Sequence, residues 1–253
     1  MRSISWLIGG LLAAGVLWLA FMPPLQGVLG SYSTSLTERS GGQRDNALRA
    51  ARALDGVVIP PGQTLSFNQT VGPWTADRGY VKAPVSFSGD LVPAWGGGVC
   101  QTSTTLYNAA LIAGLEVVQR QRHLWPPTYV PPGQDAAVAQ YDIDLRLRNP
   151  YRWPVRVAAR VSDDRIGFAL TGRATGPMAE VTAGTRAVVP PRQILHGDQR
   201  LPVGERHILN PGRPGVRVSV YRAYLKGRRA GERELVSQDT YHPMNRIVRV
   251  GVR

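Results

Sequence analysis

The sequence predicts an α+β fold: an N-terminal transmembrane helix, a mixed α+β core with a Cys-bearing helix, and a β-rich C-terminal part. Three observations lead there. Ile4 to Met22 runs for 19 residues without a charge. Gln43 to Leu54, and the residues after Cys100, repeat apolar side chains at helical spacing. Elsewhere 28 Gly and 20 Pro punctuate short alternating runs, which reads as strands joined by turns rather than as a helical bundle.

A helix over Ile4–Met22 reaches roughly 28 Å, close to the ~30 Å hydrocarbon core of a bilayer. Arg2 and the free amine precede it, and no charge follows until Glu38. The positive-inside rule then puts the N-terminus in the cytoplasm and the bulk of the chain outside the cell membrane. A cleaved signal peptide is the alternative, although its apolar part usually runs only about 7–15 residues. Residues 1–24 are thus the cytoplasmic tip and anchor, and 25–30 a linker.

Ser31 to Ser35 has strand composition. Gln43 to Leu54 is an amphipathic helix with Ala47, Leu48, Ala51 and Leu54 on its apolar face, ended by Asp55-Gly56. Val57–Ile59 and Thr64–Asn68 are short strands on either side of a Pro60-Pro61-Gly62 turn, and Tyr80–Phe87 is another. Trp95-Gly96-Gly97-Gly98-Val99-Cys100-Gln101-Thr102-Ser103 follows, carrying the single cysteine. Thr102 and Ser103 are good N-cap types, Leu106, Ala109, Ala110 and Ala113 make a helix face, and Gly114 ends it. Cys100 therefore lies at the electropositive start of a helix, a placement that favours thiolate.

Leu115–Arg120 alternates as a strand and delivers His123. Prolines 126, 127, 131 and 132 keep the next stretch extended. Ala136 to Leu147 returns to strand, and Val155–Val161 with Ile166–Leu170 reads as a hairpin. The core spans 31–150, a β extension 151–195, and a C-terminal β module 196–253. Val216–Arg222 and Ile247–Val250 are the clearest strands of that module.

The net charge of +13 rests almost wholly on arginine, since Lys82 and Lys226 are the only lysines. Such an exported surface adheres to anionic polymers or headgroups. No dense basic run or base-reading motif supports nucleic acid as a partner. One cysteine rules out an intrachain disulfide and a multi-thiolate zinc site, and the four scattered histidines have no metal-ligand spacing. No metal or cofactor is expected.

A thiolate nucleophile needs a base and an orienting group. Cys100, His123 and one of Asp135, Asp142 or Asp144 can supply them, in an order similar to transglutaminase-type and papain-like cysteine enzymes. The plain alternatives are a packed cysteine, a histidine resting on Trp125, a turn residue at Asp135, and an Asp144 that pairs with Arg146 or Arg148.

Residues from about 30 to 149 closely resemble the VanW family. The matching pieces are Ser31-Tyr32-Ser33-Thr34, Arg44-Asp45-Asn46, Ser66-Phe67-Asn68, Gly79-Tyr80, the run Gly96-Gly97-Gly98-Val99-Cys100-Gln101 with Ser103 to Ala109, His123, Tyr129-Val130-Pro131, Asp135-Ala136 and Asp144-Leu145. Leu124 and Ala137 depart from the family pattern. Pro211-Gly212-Arg213-Pro214-Gly215, Gly227, Tyr241 with Pro243, and Val250-Gly251 resemble a glycine-marked β module associated with the cell wall.

The resemblance implies a bacterial envelope protein linked to peptidoglycan and supplies no established reaction. Two readings stay open. One is a wall-associated binding protein, with peptidoglycan or another wall polymer and the bilayer as partners. There Trp74, Trp95 and Trp125 stack on sugars, and Gly96, Gly97, Gly98, Gln101 and Asp135 form the docking loop. The other is a cysteine amidase or acyltransferase acting on wall peptide. There Cys100 attacks, His123 moves the proton, Asp144 holds the imidazole, and N–H groups near Cys100 and Gln101 bind the oxyanion.

Overall fold

The first helix begins two residues before its predicted start, because Ser40 and Gln43 form a reciprocal capping box. The Gln43 N–H donates to Ser40 Oγ at 3.3 Å and the Ser40 N–H to Gln43 Oε1 at 3.1 Å. The computed structural model describes residues 27–253 apart from 88, 89 and 175.

In chain order the N-terminal part comprises β1 (Val28–Ser35), α1 (Gly41–Leu54), β2 (Val58–Ile59), β3 (Thr64–Ser66), α2 (Phe67–Val71), β4 (Lys82–Phe87), β5 (Asp90–Trp95), α3 (Val99–Ile112), β6 (Glu116–Gln119), β7 (Arg146–Arg148), β8 (Val155–Val161) and β9 (Arg165–Thr171). The C-terminal part is wholly β: β10 (Ala179–Val189), β11 (Gln193–Asp198), β12 (Arg206–Asn210), β13 (Gly215–Tyr224), β14 (Arg233–Tyr241) and β15 (Arg246–Gly251).

The N-terminal sheet has the order β1-β9-β8-β2, all antiparallel, and α1 and α3 pack on it. A small β3-β7-β6 sheet and the β4-β5 hairpin complete this half. The C-terminal half holds two three-stranded sheets, β10-β13-β14 and β11-β15-β12, with β11 parallel to β15.

α3 is the centre of the core. Leu106, Ala109, Ala110 and Leu111 are fully buried, and so are its polar residues Thr102, Ser103, Thr104 and Thr105. Burying each leucine contributes about 1.5–3 kcal/mol. The hydroxyls are all bonded, as buried polar groups must be. Thr102 donates to Ala47 O at 3.0 Å, Thr105 Oγ1 lies 2.8 Å from Thr34 Oγ1, and Ser103 donates to Ala136 O at 2.6 Å. The helix ends as a Schellman motif, with the Leu115 N–H on Ala110 O at 3.0 Å and Gly114 at φ 75°.

Several expectations change. Among the described residues strand outweighs helix by 43% to 16%, with three α-helices, so this part of the chain is mostly β, not a balanced α+β fold. The excess comes from β10, β11, β12 and β14, whose exposed faces hide the apolar alternation. The anchor expected at Ile4–Met22 lies outside the described residues. Among the described residues no helix is long and apolar enough to cross a membrane. Val28–Gly30, read as linker, belongs to β1. Phe67 and Asn68, read as strand, start α2 because Ser66 caps it, accepting from the Gln69 N–H at 3.2 Å. Of the strand expected over Ala136–Leu147, only Arg146 and Leu147 pair as one. The rest is irregular, with single bridges at Ala137 and Ala139.

Candidate active site

The turn before α3 is a three-way joint. Gly96 has φ 77°, and a Cβ there would sit 2.3 Å from Trp74 Cδ1. At Gly97 it would meet Ala83 O and Pro84 O at 2.8 Å, and at Gly98 (φ 106°) Gln43 O at 2.2 Å. Only glycine fits. The run faces its own chain, and Asn46 Nδ2 takes the Gly97 carbonyl at 2.9 Å. The expected docking loop is therefore spent on internal packing.

Gly98, not Thr102 or Ser103, is the N-cap of α3. Its left-handed φ turns the chain sharply into the helix, so Cys100 already lies in the first turn. Ser103 and Thr104 fasten the segment that crosses the thiol, since Thr104 Oγ1 accepts from the Ala136 N–H at 3.0 Å. Cys100 Sγ meets Val138 there, 3.3 Å from its carbonyl and 3.5 Å from its N–H. The thiol is half-buried.

The imidazole of His123 lies close enough to the Cys100 sulfur for each to shift the other's pKa. Its Nδ1 lies 2.7 Å from Asp135 Oδ2, which also accepts the His123 N–H at 2.7 Å. Asp135 is completely buried, and its Oδ1 is held by Arg120 Nη2 at 3.2 Å and by the Tyr241 hydroxyl.

These contacts decide the charges. Burial pushes the Cys100 thiol up, but the hydrogen bond and positive charge of His123, with Val138, bring it below its ordinary value against the opposing Asp135. Burial pushes His123 down, yet its bonds to Asp135 and Cys100 and their charges raise it to about 10. Burial would raise Asp135, and His123 and then Arg120 hold it below the usual carboxylate range. The arrangement favours a thiolate–imidazolium pair backed by a carboxylate.

The structure thus brings Cys100, His123 and Asp135 together and leaves Asp144 out. Asp144 accepts from Ser66 Oγ at 2.6 Å and from the Asn68 N–H at 2.9 Å, so it secures the start of α2. Asp142 is exposed. Gln101 points away from the thiol, donating to Ser35 O at 2.6 Å and Thr34 Oγ1 at 3.0 Å, and its backbone N–H is spent on Gly98 O at 3.0 Å. Trp74 is buried against Gly96, whereas Trp95 is 43% exposed, with Lys82 over its ring.

The sequence does not single out Arg120, which reaches Asp135, or Asp239, which reaches Arg120, nor Tyr129 as a neighbour of the thiol. Burial first, then the nearby Cys100 charge, raises the Tyr129 hydroxyl above its ordinary value. Its place among the family-matching pieces was the sole hint.

Two hollows open elsewhere. One of about 400 Å³ lies between the halves, among Tyr32, Asn108, Gln134, Glu180 and Leu225. A shallow groove of about 840 Å³ runs along β1, β8 and β9, with Ser31, Ser33, Arg160 and Arg165. Neither includes Cys100. Among the described residues no group of three His, Cys, Asp or Glu side chains could hold a metal ion.

A family model described as "VanW like protein" matches residues 42–171, and a G5 domain model matches 180–253. The chain is 42% identical over 132 residues to the "Uncharacterized protein YoaR" of Bacillus subtilis (strain 168), covering 52% of this chain and 44% of that protein. It is 31% identical over 126 residues to the "Vancomycin B-type resistance protein VanW" of Enterococcus faecalis (strain ATCC 700802 / V583), covering 48% and 46%. The match spans less than half the length of either relative. Among solved structures, HP0197-G5 is 28% identical over 28% of this chain and 99% of its own, with a TM-score of 0.18. The IgA1 protease G5 domain is 23% identical over 32% and 99%, with a TM-score of 0.22.

Proposed function

This chain belongs to the VanW-like family and carries a C-terminal G5 domain, and on that premise we propose a cell-wall-associated protein whose Cys100 is an acyl-transfer nucleophile. The observation that carries the chemistry is the Cys100–His123–Asp135 relay in the first turn of α3. The wall assignment draws on the relative named for vancomycin resistance and on the G5 module. The uncharged Ile4–Met22 stretch after Arg2 supports an extracytoplasmic location, and the arginine-rich surface suits an anionic wall polymer.

In this reading the Cys100 thiolate adds to a carbonyl of a wall peptide. The tetrahedral intermediate breaks its C–N bond, and His123 Nε2, the ring nitrogen not bonded to Asp135, gives its proton to the departing amine. A thioester on Sγ remains. Water or a second amine, losing its proton to His123, attacks that thioester and restores the thiolate–imidazolium pair. Asp135 keeps the imidazole oriented throughout and stabilises its charge whenever it is protonated.

The test is the wall-peptide profile of cells making the wild type, Cys100→Ala or His123→Ala, alongside iodoacetamide labelling of the folded protein. The proposal expects rapid labelling at neutral pH and a profile that changes in both variants. Slow labelling with an unchanged profile refutes it.

A second reading, a purely adhesive protein, is favoured by one observation: Sγ is already occupied by both Val138 backbone groups, and neither large hollow reaches it. Cys100→Ala protein that still sediments with wall sacculi and leaves the peptide profile intact would support it.

A further inference from the structure

The buried side of Asp135 belongs to the other half of the molecule. Tyr241, on β14, is 1% exposed, donates its hydroxyl to Asp135 Oδ1, and accepts the Gly133 N–H at 2.9 Å. Asp239, two residues earlier and so on the same face of β14, grips Arg120 Nη1 with both oxygens at 2.9 and 2.7 Å. Arg120 in turn reaches Asp135 through Nη2, and its Nε donates to the Asp135 carbonyl at 2.7 Å.

The same module closes the far end of the cysteine helix. Arg222 on β13 is 3% exposed, and its Nη1 donates to Leu115 O at 2.7 Å and Leu111 O at 3.4 Å. Gly133, in the loop before Asp135, packs directly on Val220 and Val218.

We propose that the C-terminal module is part of the working site: Tyr241 and Asp239, acting through Asp135 and Arg120, are positioning residues that set the reactivity of Cys100. This rests on the nucleophile reading above. It adds that a module matched by a separate family model reaches into the relay itself rather than serving only as a tether.

The charge pattern gives the two residues opposite effects. Asp135, Asp239, Arg120 and protonated His123 make a neutral cluster, faced by Cys100 from α3 and by Tyr129 from the connection after β6. Arg122 stands 5.3 Å over the Tyr241 ring and Arg120 5.6 Å over Tyr107. The Tyr241 hydroxyl blunts the Asp135 charge. Asp239 draws on the Arg120 charge that would otherwise neutralise Asp135. Removing the hydroxyl strengthens the negative field at Cys100, and removing the Asp239 charge weakens it.

The experiment measures the iodoacetamide rate of the full chain against pH, with melting temperature in parallel, for the wild type, Tyr241→Phe and Asp239→Asn. The acid limb, where thiolate forms, should move up by about half a pH unit in Tyr241→Phe and down by about as much in Asp239→Asn. Limbs that stay in place, or that move in the same direction, overturn the proposal even if both variants melt earlier. If Tyr241→Phe does not fold, the direction of the Asp239→Asn limb decides alone. A wild-type limb at the ordinary ~8.5 of a free thiol sinks the nucleophile reading itself, and this proposal with it.

Discussion

Replacing the titrating pair, Cys100→Ser with His123→Gln, should flatten one part of the pH–stability curve. His123 is raised in the folded protein from about 6.5 to about 10. Its stabilisation is therefore fully present below pH ~6.5 and lost as pH rises through about 10. Cys100 is lowered, so its contribution is present above the unfolded thiol value of ~8.5 and lost as pH falls through its folded value. Where both groups change, below ~8.5, their slopes oppose each other. Between ~8.5 and 10 only the histidine slope remains: the unfolded pair binds no proton and the folded pair still holds one. Over that 1.5-unit window the loss is 1.5 × 1.36, or about 2 kcal/mol. Seven tyrosines also have raised values, Tyr107 and Tyr151 reaching about 12, so the wild-type curve falls further above pH 9. The difference between wild type and double variant cancels that shared background. Urea unfolding at half-unit intervals from pH 7 to 10.5 measures it. A difference that stays constant to within about 0.5 kcal/mol from pH 8.5 to 10 would refute the coupled pair.

Three further outcomes follow. Gly98→Ala forces a Cβ against the Gln43 carbonyl at a left-handed φ and should cost at least ~3 kcal/mol in urea unfolding; a cost under about 1 kcal/mol would refute the joint. Asp144→Ala should cost only about 1 kcal/mol, as a lost helix-start contact does, with the iodoacetamide rate of Cys100 unchanged; a slowed rate would return Asp144 to the relay. Arg222→Met leaves Glu234 to Arg229 and the Tyr224 hydroxyl, and frees the carbonyls of Leu111, in the last turn of α3, and Leu115, just after it. It should cost about 1–3 kcal/mol and speed amide exchange in the final turn of α3, which intact protection there would contradict.

The cysteine helix, α1 and the β8–β9 hairpin were legible because each carries its own local signal: a Gly-to-helix switch, an apolar face, and two alternating runs around Ser162-Asp163-Asp164. The β10, β11, β12 and β14 strands were not. Much of β11 and β12 is solvent-exposed on both faces, so no apolar period marks them. The sequence does not single out Asp135 as the aspartate beside His123, for a similar reason. Asp135 follows Pro131-Pro132-Gly133 and reads as a turn residue, whereas Asp144 sits in an alternating stretch that looks ordered. What places Asp135 against the His123 ring is its burial under Tyr241, 106 positions later, and no local pattern carries that. His123 and Cys100 stand out in the sequence as candidates, but their closeness depends on Ser103 and Thr104 holding the 136–138 segment across the helix start, where the local pattern suggests only helix capping.

The joint at Gly96 to Gly98 also limits how this protein can be remodelled. An indole ring, a hairpin and a neighbouring helix converge on three successive residues from separate stretches of chain. A compensating change in one of them cannot relieve crowding from the other two. Engineers seeking altered selectivity will find no latitude in this elbow; the accessible indole of Trp95, just ahead of it, is where diversity can be introduced without unseating the thiol.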